Sequence, residues 1–285
     1  MEFSVVITTY NRPDYLAQSL ESVLSQTVLA KEIIIIDDNS STDYSAVLGR
    51  FNDPRIRYIK QPVSGGANVA RNLGVKESSG DVVAFLDDDD VWLPDYLKAH
   101  KAQYEDGADA VVSGFKHLGN EKEVRVNNDK KVTKKSLVQG NKYCGMSGFS
   151  CKKYILSDFM FDIKLNNGQD WDMFVRLYEN NVAIFNVSNP IFLYRFQNPD
   201  GIGAKLRSMK PSDIEKRLGS ARKHRAFLGE YWYKQRVAEQ LLVSLRHKSN
   251  RMSWLYKSVK MVGILASFTY IARSLFRHIK ARTLL

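Results

Sequence analysis

Cysteine is almost absent from the chain. Cys144 and Cys151 are the only two in 285 residues, too few for a disulfide framework and without the paired spacing of a zinc site. Two free thiols in a reducing compartment are expected. The N-terminus, MEFSVVITTYNRP, has no basic stretch ahead of an apolar one, so no secretory leader is expected. Long apolar runs are missing as well. In the C-terminal third the longest uncharged stretch is Met261–Ala272, twelve residues, whereas a spanning helix needs about 20. Acidic residues are scarce there too. Residues 201–285 carry 19 Lys+Arg and 4 Asp+Glu, net +15, while residues 1–200 carry 23 and 27, net −4. A basic region of this kind meets nucleic acid, anionic lipid or an acidic partner. It has no zinc spacing, no RNA-recognition signature and no clear helix-turn-helix, so a nucleic-acid-binding protein remains only a secondary reading.

The rest of the composition, 44% hydrophobic and 26% charged, is that of an ordinary globular protein. The most telling stretch is Ser79–Pro94, SGDVVAFLDDDDVWLP. A short apolar run, Val82–Leu86, suits a strand buried on both faces. It ends in Asp87, Asp88, Asp89 and Asp90. Four adjacent carboxylates repel one another unless a cation or a set of donors neutralises them. Hard oxygen ligands suit Mg²⁺ or Mn²⁺ held together with substrate phosphates. The cluster therefore reads as a metal–diphosphate site at a strand's carboxyl end or as a solvated acidic turn.

The flanking sequence alternates. Phe3–Thr9 is a strand by composition, and Asn11 and Pro13 open a helix to about Gln26, with Leu16, Leu20, Val23 and Leu24 on one face. Glu32–Ile36 is a second strand ending in Asp37 and Asp38. Ile56–Lys60 is a third. Ser64–Asn68 is a small-residue loop entering a helix to Glu77, where backbone can approach an anion closely. Asp95–Tyr104 reads as a helix and Ala108–Phe115 as a strand. This order predicts an α/β fold with a mostly parallel sheet and helices on both faces. Lys116–Gln139 reads as a loop or hairpin, Gly140–Ser150 as a flexible active-site segment, and Asp170–Glu179 as a helix with Met173, Phe174 and Leu177 inward. Ala183–Val187 and Ile191–Arg195 read as two short strands, and Asn198–Gly201 as a turn and boundary.

Beyond that turn the pattern is helical to the end. Met261, Leu265, Phe268, Ile271, Leu275 and Ile279 form a stripe among Lys257, Lys260, Arg273, Arg277, Lys280 and Arg282. A basic helix with an apolar stripe suits an anionic membrane surface. The alternative is a stripe packed on the protein with its basic face in water.

Four stretches together resemble family 2 glycosyltransferases of the GT-A fold: VVITTYNRP at 5–13, IIIIDDNSSTD at 33–43, ANVARNLGVKESSGDVVAFLDDDDVWLPDYL at 67–97 and QDWDMFVRL at 169–177. The resemblance implies a Rossmann-like catalytic domain over 1–204, with a nucleotide-sugar-binding half (1–115) and an acceptor-side half (116–204). It does not cover the basic helical region, 205–285. It implies that Thr8, Tyr10, Asp38 and Arg71 line the nucleotide-sugar pocket. Asp87-Asp88-Asp89 matches the DxD motif, with Asp87 shaping the turn, Asp88 near the ribose or a metal-bound water, and Asp89 the metal ligand. Asp90 braces the segment to Trp92, while Asp37 caps a turn. Asp170 stands at the catalytic base, with Asp172 the runner-up and Arg176 in reach of either. Where the family has Glu before the base, this chain has Gln169. Gly145, Met146, Ser147 and Gly148 are expected near the sugar.

The implied activity is inverting and metal-dependent, with Mn²⁺ or Mg²⁺. A hexosyl or N-acetylhexosaminyl group moves from a nucleotide-sugar, UDP-linked by analogy, to a hydroxyl of a glycan acceptor. The tail adds the expectation of a polyprenyl-diphosphate-linked acceptor in O-antigen or capsule-type synthesis, at the inner face of the cell membrane. A nucleotidyltransferase also uses carboxylates, a metal and an α/β sheet, but needs a basic signature loop near the N-terminus. VVITTYNRPDY, with one Arg and no Gly, is not one.

Overall fold

The computed structural model describes residues 1–196, 209–248 and 250–282, with side chains as far as Leu275. It comprises two units. One contains residues 1–137, 141–164 and 169–196, the other 138–140, 165–168 and 197–285. The expected turn at Asn198–Gly201 lies outside the described residues.

The first unit is built on a nine-stranded sheet. Its strands are β1 (Phe3–Thr9), β2 (Glu32–Asp37), β3 (Ile56–Lys60), β4 (Val82–Asp87), β5 (Val91–Trp92), β6 (Ala110–His117), β7 (Asn120–Arg125), β8 (Phe149–Lys152) and β9 (Ile184–Tyr194). The order is β3-β2-β1-β4-β8-β6-β9-β5, with β7 on β6. Strands β1 to β4, β6 and β9 run one way and β5, β7 and β8 the other, the mostly parallel arrangement expected. Every residue of β1 and β2 is buried, as continuous apolar runs between helix layers require.

The helices of this unit are α1 (Pro13–Leu24), α2 (Ser45–Leu48), α3 (Ala67–Glu77), α4 (Tyr96–Glu105), α5 (Lys134–Val138, whose last residue falls in the second unit), α6 (Lys153–Asp158) and α7 (Gln169–Glu179). Leu16, Leu20 and Val23 of α1 are buried, as are Met173, Phe174 and Leu177 of α7. The chain steps outward from β1 to β3, then returns through α3 to β4 on the other side of β1. A crevice opens outside the carboxyl ends of strands at such a reversal. A Cβ at Gly74 would collide with Val6, so glycine lets α3 lie close on β1.

Several local expectations change. Asn11 does not cap α1. It sits at φ 54°, and its Oδ1 accepts from the backbone N–H groups of Ser41 and Thr42 at 2.9 and 3.2 Å. It fastens the turn after β2 instead. Gly140–Ser150 is not a loose segment. It runs into β8, a strand between β4 and β6, and Met146–Ser150 is buried. The two short strands near residue 190 are one, β9, with Ser188 and Asn189 as extra residues between the pairs Ser113–Val187 and Gly114–Pro190. Pro190 has no N–H to give the ladder.

The second unit is helical. It contains α8 (Gly219–Lys223), α9 (Arg225–Leu242, broken at Gly229), α10 (Arg251–Val262) and α11 (Ile264–Arg282). Its core joins Ile214, Leu218, Val237, Ala238, Leu241, Trp254, Val262, Ala266 and Tyr270. The expected stripe is split. Gly263, at φ 88°, ends α10 and starts α11 in a new phase. Val262, Ala266, Ser267 and Tyr270 therefore face inward, and Met261 and Ile271 lie at the margin of the core. Leu265 and Phe268 are 82% and 54% exposed. The side chain of Ile279 lies outside the described residues. Among the described residues no helix is long and apolar enough to cross a membrane.

Candidate functional site

Of the site residues expected from sequence, Thr8, Tyr10, Asp38, Asp87, Asp88 and Asp89 lie at the carboxyl ends of β1, β2 and β4, Arg71 lies on α3 and Asp170 on α7. Thr8 ends beside Asp87, its Oγ1 donating to Asp87 Oδ1 at 3.3 Å. Tyr10 stands just beyond β1 with half of its surface exposed. Asp37 binds back to the Ser40 N–H at 2.9 Å and accepts from the Tyr58 hydroxyl at 2.6 Å, so it shapes the turn.

Asp38 is buried. Its Oδ1 accepts from Gln61 Nε2 at 2.6 Å and the Gly65 N–H at 2.7 Å, and its Oδ2 from Ser64 Oγ at 2.8 Å and the Gly66 N–H at 2.9 Å. Gly66, at φ 84°, turns the loop back so that both glycine amides reach the carboxylate. The small-residue loop and Asp38 thus close on each other.

The four aspartates after Leu86 point to different partners. Asp87 and Asp89 are the outer pair, with side chains 33% and 20% exposed. Asp88 is buried and accepts from Thr9 Oγ1 at 2.8 Å and from the Arg12 guanidinium at 3.3 Å. Burial pushes its carboxyl up to about 7, against the pull of the Thr9 hydrogen bond and Arg12. Arg12 also reaches Asp89 Oδ2 at 3.2 Å. Asp90 is buried, accepting from Ser147 Oγ at 2.6 Å and the Arg195 N–H at 2.9 Å. Burial and the neighbouring Asp89 hold it well above the usual carboxylate range. Asp90 braces the turn, as expected. Of Gly145, Met146, Ser147 and Gly148, only Gly145 is partly exposed, so Ser147 supports the cluster from within.

Arg71 joins this edge to α7. It is buried, donates to Asp87 Oδ1 at 2.6 Å and to Gln169 Oε1 at 3.2 Å, and lies over Phe161. The departure at Gln169 thus falls on a residue that touches Arg71. Asp170 follows at the first turn of α7, half-buried. Its Oδ2 accepts from Asn141 Nδ2 at 2.5 Å and its Oδ1 from the Trp171 N–H at 2.8 Å. Asp172, the second candidate base, is buried and paired with Arg176 at 3.0 Å, which leaves Asp170 as the carboxylate at the open edge.

Two residues of this site escape a sequence reading: Arg12 and Arg195. Arg12 lies within YNRP, where Asn and Pro draw attention first. Arg195 is 105 residues from Asp90 in sequence, and nothing local marks it. Ser147 is expected near the sugar, but it bonds Asp90, 57 residues away, instead.

The donors suit a hard divalent cation. Among the described residues no group of three or more His, Cys, Asp or Glu is arranged to hold a metal. Asp87 and Asp89 offer one or two carboxylates, the share a protein usually gives Mg²⁺ when substrate phosphates supply the rest.

The comparisons accord with this arrangement. A glycosyltransferase of Rickettsia bellii is 45% identical over 97 residues, which are 33% of this chain and 14% of that protein, so only a small part of that relative is matched. The Escherichia coli UDP-Glc:alpha-D-GlcNAc-diphosphoundecaprenol beta-1,3-glucosyltransferase WfgD is 26% identical over 212 residues, 73% of this chain and 82% of that one. The crystal structure of S. aureus TarS 1-349 in complex with UDP-GlcNAc superposes with a TM-score of 0.63 over 95% of this chain and 73% of its own, at 18% identity, which bears on the fold alone and agrees with GT-A. The profile of the family described as "Glycosyl transferase family 2" matches residues 4–162, more than half of the chain, from the second residue of β1 through β4 and the aspartates that end β2 and β4. The chain therefore belongs to glycosyl transferase family 2.

Proposed function

We propose that this protein transfers a sugar from a nucleotide-sugar, UDP-linked, to a hydroxyl of a polyprenyl-diphosphate-linked glycan, with inversion at the anomeric carbon. The observation that carries the reading is the link Asp87–Arg71–Gln169, which sets Asp170 beside the acidic edge of the sheet. Asp170 takes the proton from the attacking acceptor hydroxyl. Asn141 and the Trp171 N–H hold its carboxylate in place. Arg71 puts a buried positive charge near the leaving diphosphate. Tyr10 offers an exposed ring to the base. Asp38 meets uracil or ribose when the Gly65 and Gly66 amides release it. Mn²⁺ or Mg²⁺, held by Asp89 with Asp87 near it, would neutralise charge on the departing diphosphate. A lipid-linked acceptor draws support from the diphosphoundecaprenol-linked acceptor of the relative WfgD. It also draws support from α11, which leaves Leu265 and Phe268 exposed in a strongly basic region. The protein then works on the anionic inner face of the cell membrane, as in O-antigen or capsule assembly.

The test is a donor screen with UDP-, GDP- and dTDP-sugars, in Mn²⁺ and in EDTA, on the purified protein and on Asp89→Ala. Metal-dependent release of UDP from one sugar, lost in Asp89→Ala, is expected. Folded protein that binds none of UDP, GDP or dTDP in the presence of metal overturns the reading.

A further inference from the structure

The carboxyl ends of β6 and β9 carry a row of aromatic rings that the mechanism above does not use. Phe115 and His117 of β6 lie parallel, centroids 5.9 Å apart with 4° between planes. Tyr194 of β9 packs on Phe115 at 5.3 Å, and Phe196 stacks on His117 at 5.0 Å and 15°. His117 is buried beneath the row, while Tyr194 and Phe196 are 37% and 66% exposed. Large rings stacked yet left open to water are unusual unless something lies on them.

The row adjoins the acidic edge. Val91 pairs with Leu193 in β5 and β9, which brings the end of β9 alongside Asp89 and Asp90. Arg195, between the two exposed rings, donates from its N–H to Asp90 and from Nε to the Asp89 carbonyl, both at 2.9 Å. Burial pushes the Tyr194 phenol up, and Asp90, Asp89, Asp87 and Asp170 push it further, so its hydroxyl lies in the field of both the cluster and the base.

We propose that Tyr194 and Phe196, supported by Phe115 and His117, are the acceptor subsite, on which a neutral pyranose ring of the acceptor glycan lies with its apolar face on the rings. The proposal rests on the glycosyl-transfer reading. Three observations select this occupant. The nucleotide residues Tyr10 and Asp38 stand at the ends of β1 and β2, across β4 from β6 and β9, so donor and acceptor approach the aspartates from opposite sides. The surrounding carboxylates disfavour a phosphate on the rings. The polar margin, with the Tyr194 hydroxyl and Glu123 on His117 Nδ1 at 2.7 Å, offers hydrogen bonds that sugar hydroxyls can use and an alkyl chain cannot. C–H groups on an aromatic face are favourable because the ring face carries partial negative charge.

The test uses saturation-transfer NMR with methyl α-glycosides of glucose, N-acetylglucosamine and N-acetylgalactosamine. The full chain is loaded with UDP and Mg²⁺, as the native sequence, Phe196→Ala and Phe196→Trp, with UDP affinity measured on each by calorimetry. One glycoside is expected to bind the native protein, to bind Phe196→Ala about three- to tenfold more weakly, and to recover in Phe196→Trp, with UDP affinity unchanged throughout. Equal glycoside binding to native protein and Phe196→Ala overturns the subsite, as does UDP-loaded native protein that binds no glycoside. Weakened UDP binding in Phe196→Ala assigns the rings to the donor and also overturns it. Failure of UDP to bind native protein strikes the transferase reading instead.

Discussion

The chain has two accumulations of charge, the four aspartates after Leu86 and the nineteen Lys+Arg after residue 200, and it handles them differently. The aspartates lie in the sheet unit, and each meets specific donors. Asp87 has Arg71, Asp88 has Thr9 and Arg12, Asp89 has Arg12, and Asp90 has Ser147 and Arg195. The cations after residue 200 have only four acids in the same stretch, Asp213, Glu215, Glu230 and Glu239. These pair with Lys216, Arg222, Arg225, Lys234 and Arg236, mostly as exposed contacts of small energetic weight. One unit fixes charge at defined atoms. The other spreads it over a surface. Function in the first should hang on single groups, and in the second on area and total charge.

Asp170→Asn is the sharpest break of that contrast. Asn keeps the shape and can accept the Trp171 N–H, so folding and UDP affinity should hold while turnover falls about 10²- to 10⁴-fold, the worth of a positioned base. A stopped assay with saturating donor and acceptor, beside UDP calorimetry, reads both. Turnover within a factor of ten of the native protein would move the base elsewhere.

The helical unit should respond by increments. Leu265→Ser and Phe268→Ser each remove exposed apolar surface that a membrane would bury, worth about 1.5–3 kcal/mol apiece when buried. Flotation with vesicles rich in anionic lipid should show each variant binding about tenfold or more weakly, and the double variant more weakly than either single one, with donor hydrolysis unchanged. Equal flotation of all forms, abolished by salt in all, would leave charge alone as the attraction.

Much of the sheet unit is legible because its signals are local. Short β-branched runs such as Ile33–Ile36, bounded by Glu32 and Asp37, read as interior strands by length and composition, and their carboxyl ends mark the crevice. The site's wiring is less legible. Asp38 advertises a ligand contact, yet the loop 26 to 28 residues on turns its donors to it. β8 is four residues long within a Gly- and Ser-rich context, and only pairing with β4 and β6 makes it a strand. The tail stripe reads as continuous because a helical wheel does not see Gly263 reset the phase. In each case a tertiary contact or one backbone angle overrides the local pattern.

His100 shows what the sheet unit does with a titratable group when it needs no charge. It is fully buried, stacked on Tyr96 at 4.2 Å, with Nδ1 bonded to Ser150 Oγ at 2.7 Å. Burial drops it from the usual 6.5 to about 3. The unfolded chain takes up a proton near 6.5 that the folded chain refuses until about 3, so the stability His100 confers is complete above 6.5 and is lost as pH falls through that window. The loss is about 1.4 kcal/mol per pH unit. Urea unfolding of native protein and His100→Gln between pH 7 and 4 should show a shallower fall in the variant by about that slope. Parallel curves would mean that His100 is hydrated in the folded state.

Gln169→Glu tests the contrast where it is finest. Arg71 now touches one carboxylate, Asp87, and two neutral amide oxygens, of Gln169 and Asn68, so part of its charge remains for an anionic donor. A Glu at 169 would give Arg71 a second carboxylate and lower the local charge by one unit. A change of one charge near the surface of a site is worth about 1 kcal/mol at working ionic strength, or about fivefold in donor KM. The fold and the position of α7 should not change, because Glu accepts the same guanidinium hydrogen bond. A raised donor KM that salt diminishes, with kcat nearly constant, would assign Arg71 to the diphosphate. An unchanged KM would confine Arg71 to tying Asp87 to α7, and the positive field at the leaving group would then have to come from Arg12 or the bound cation.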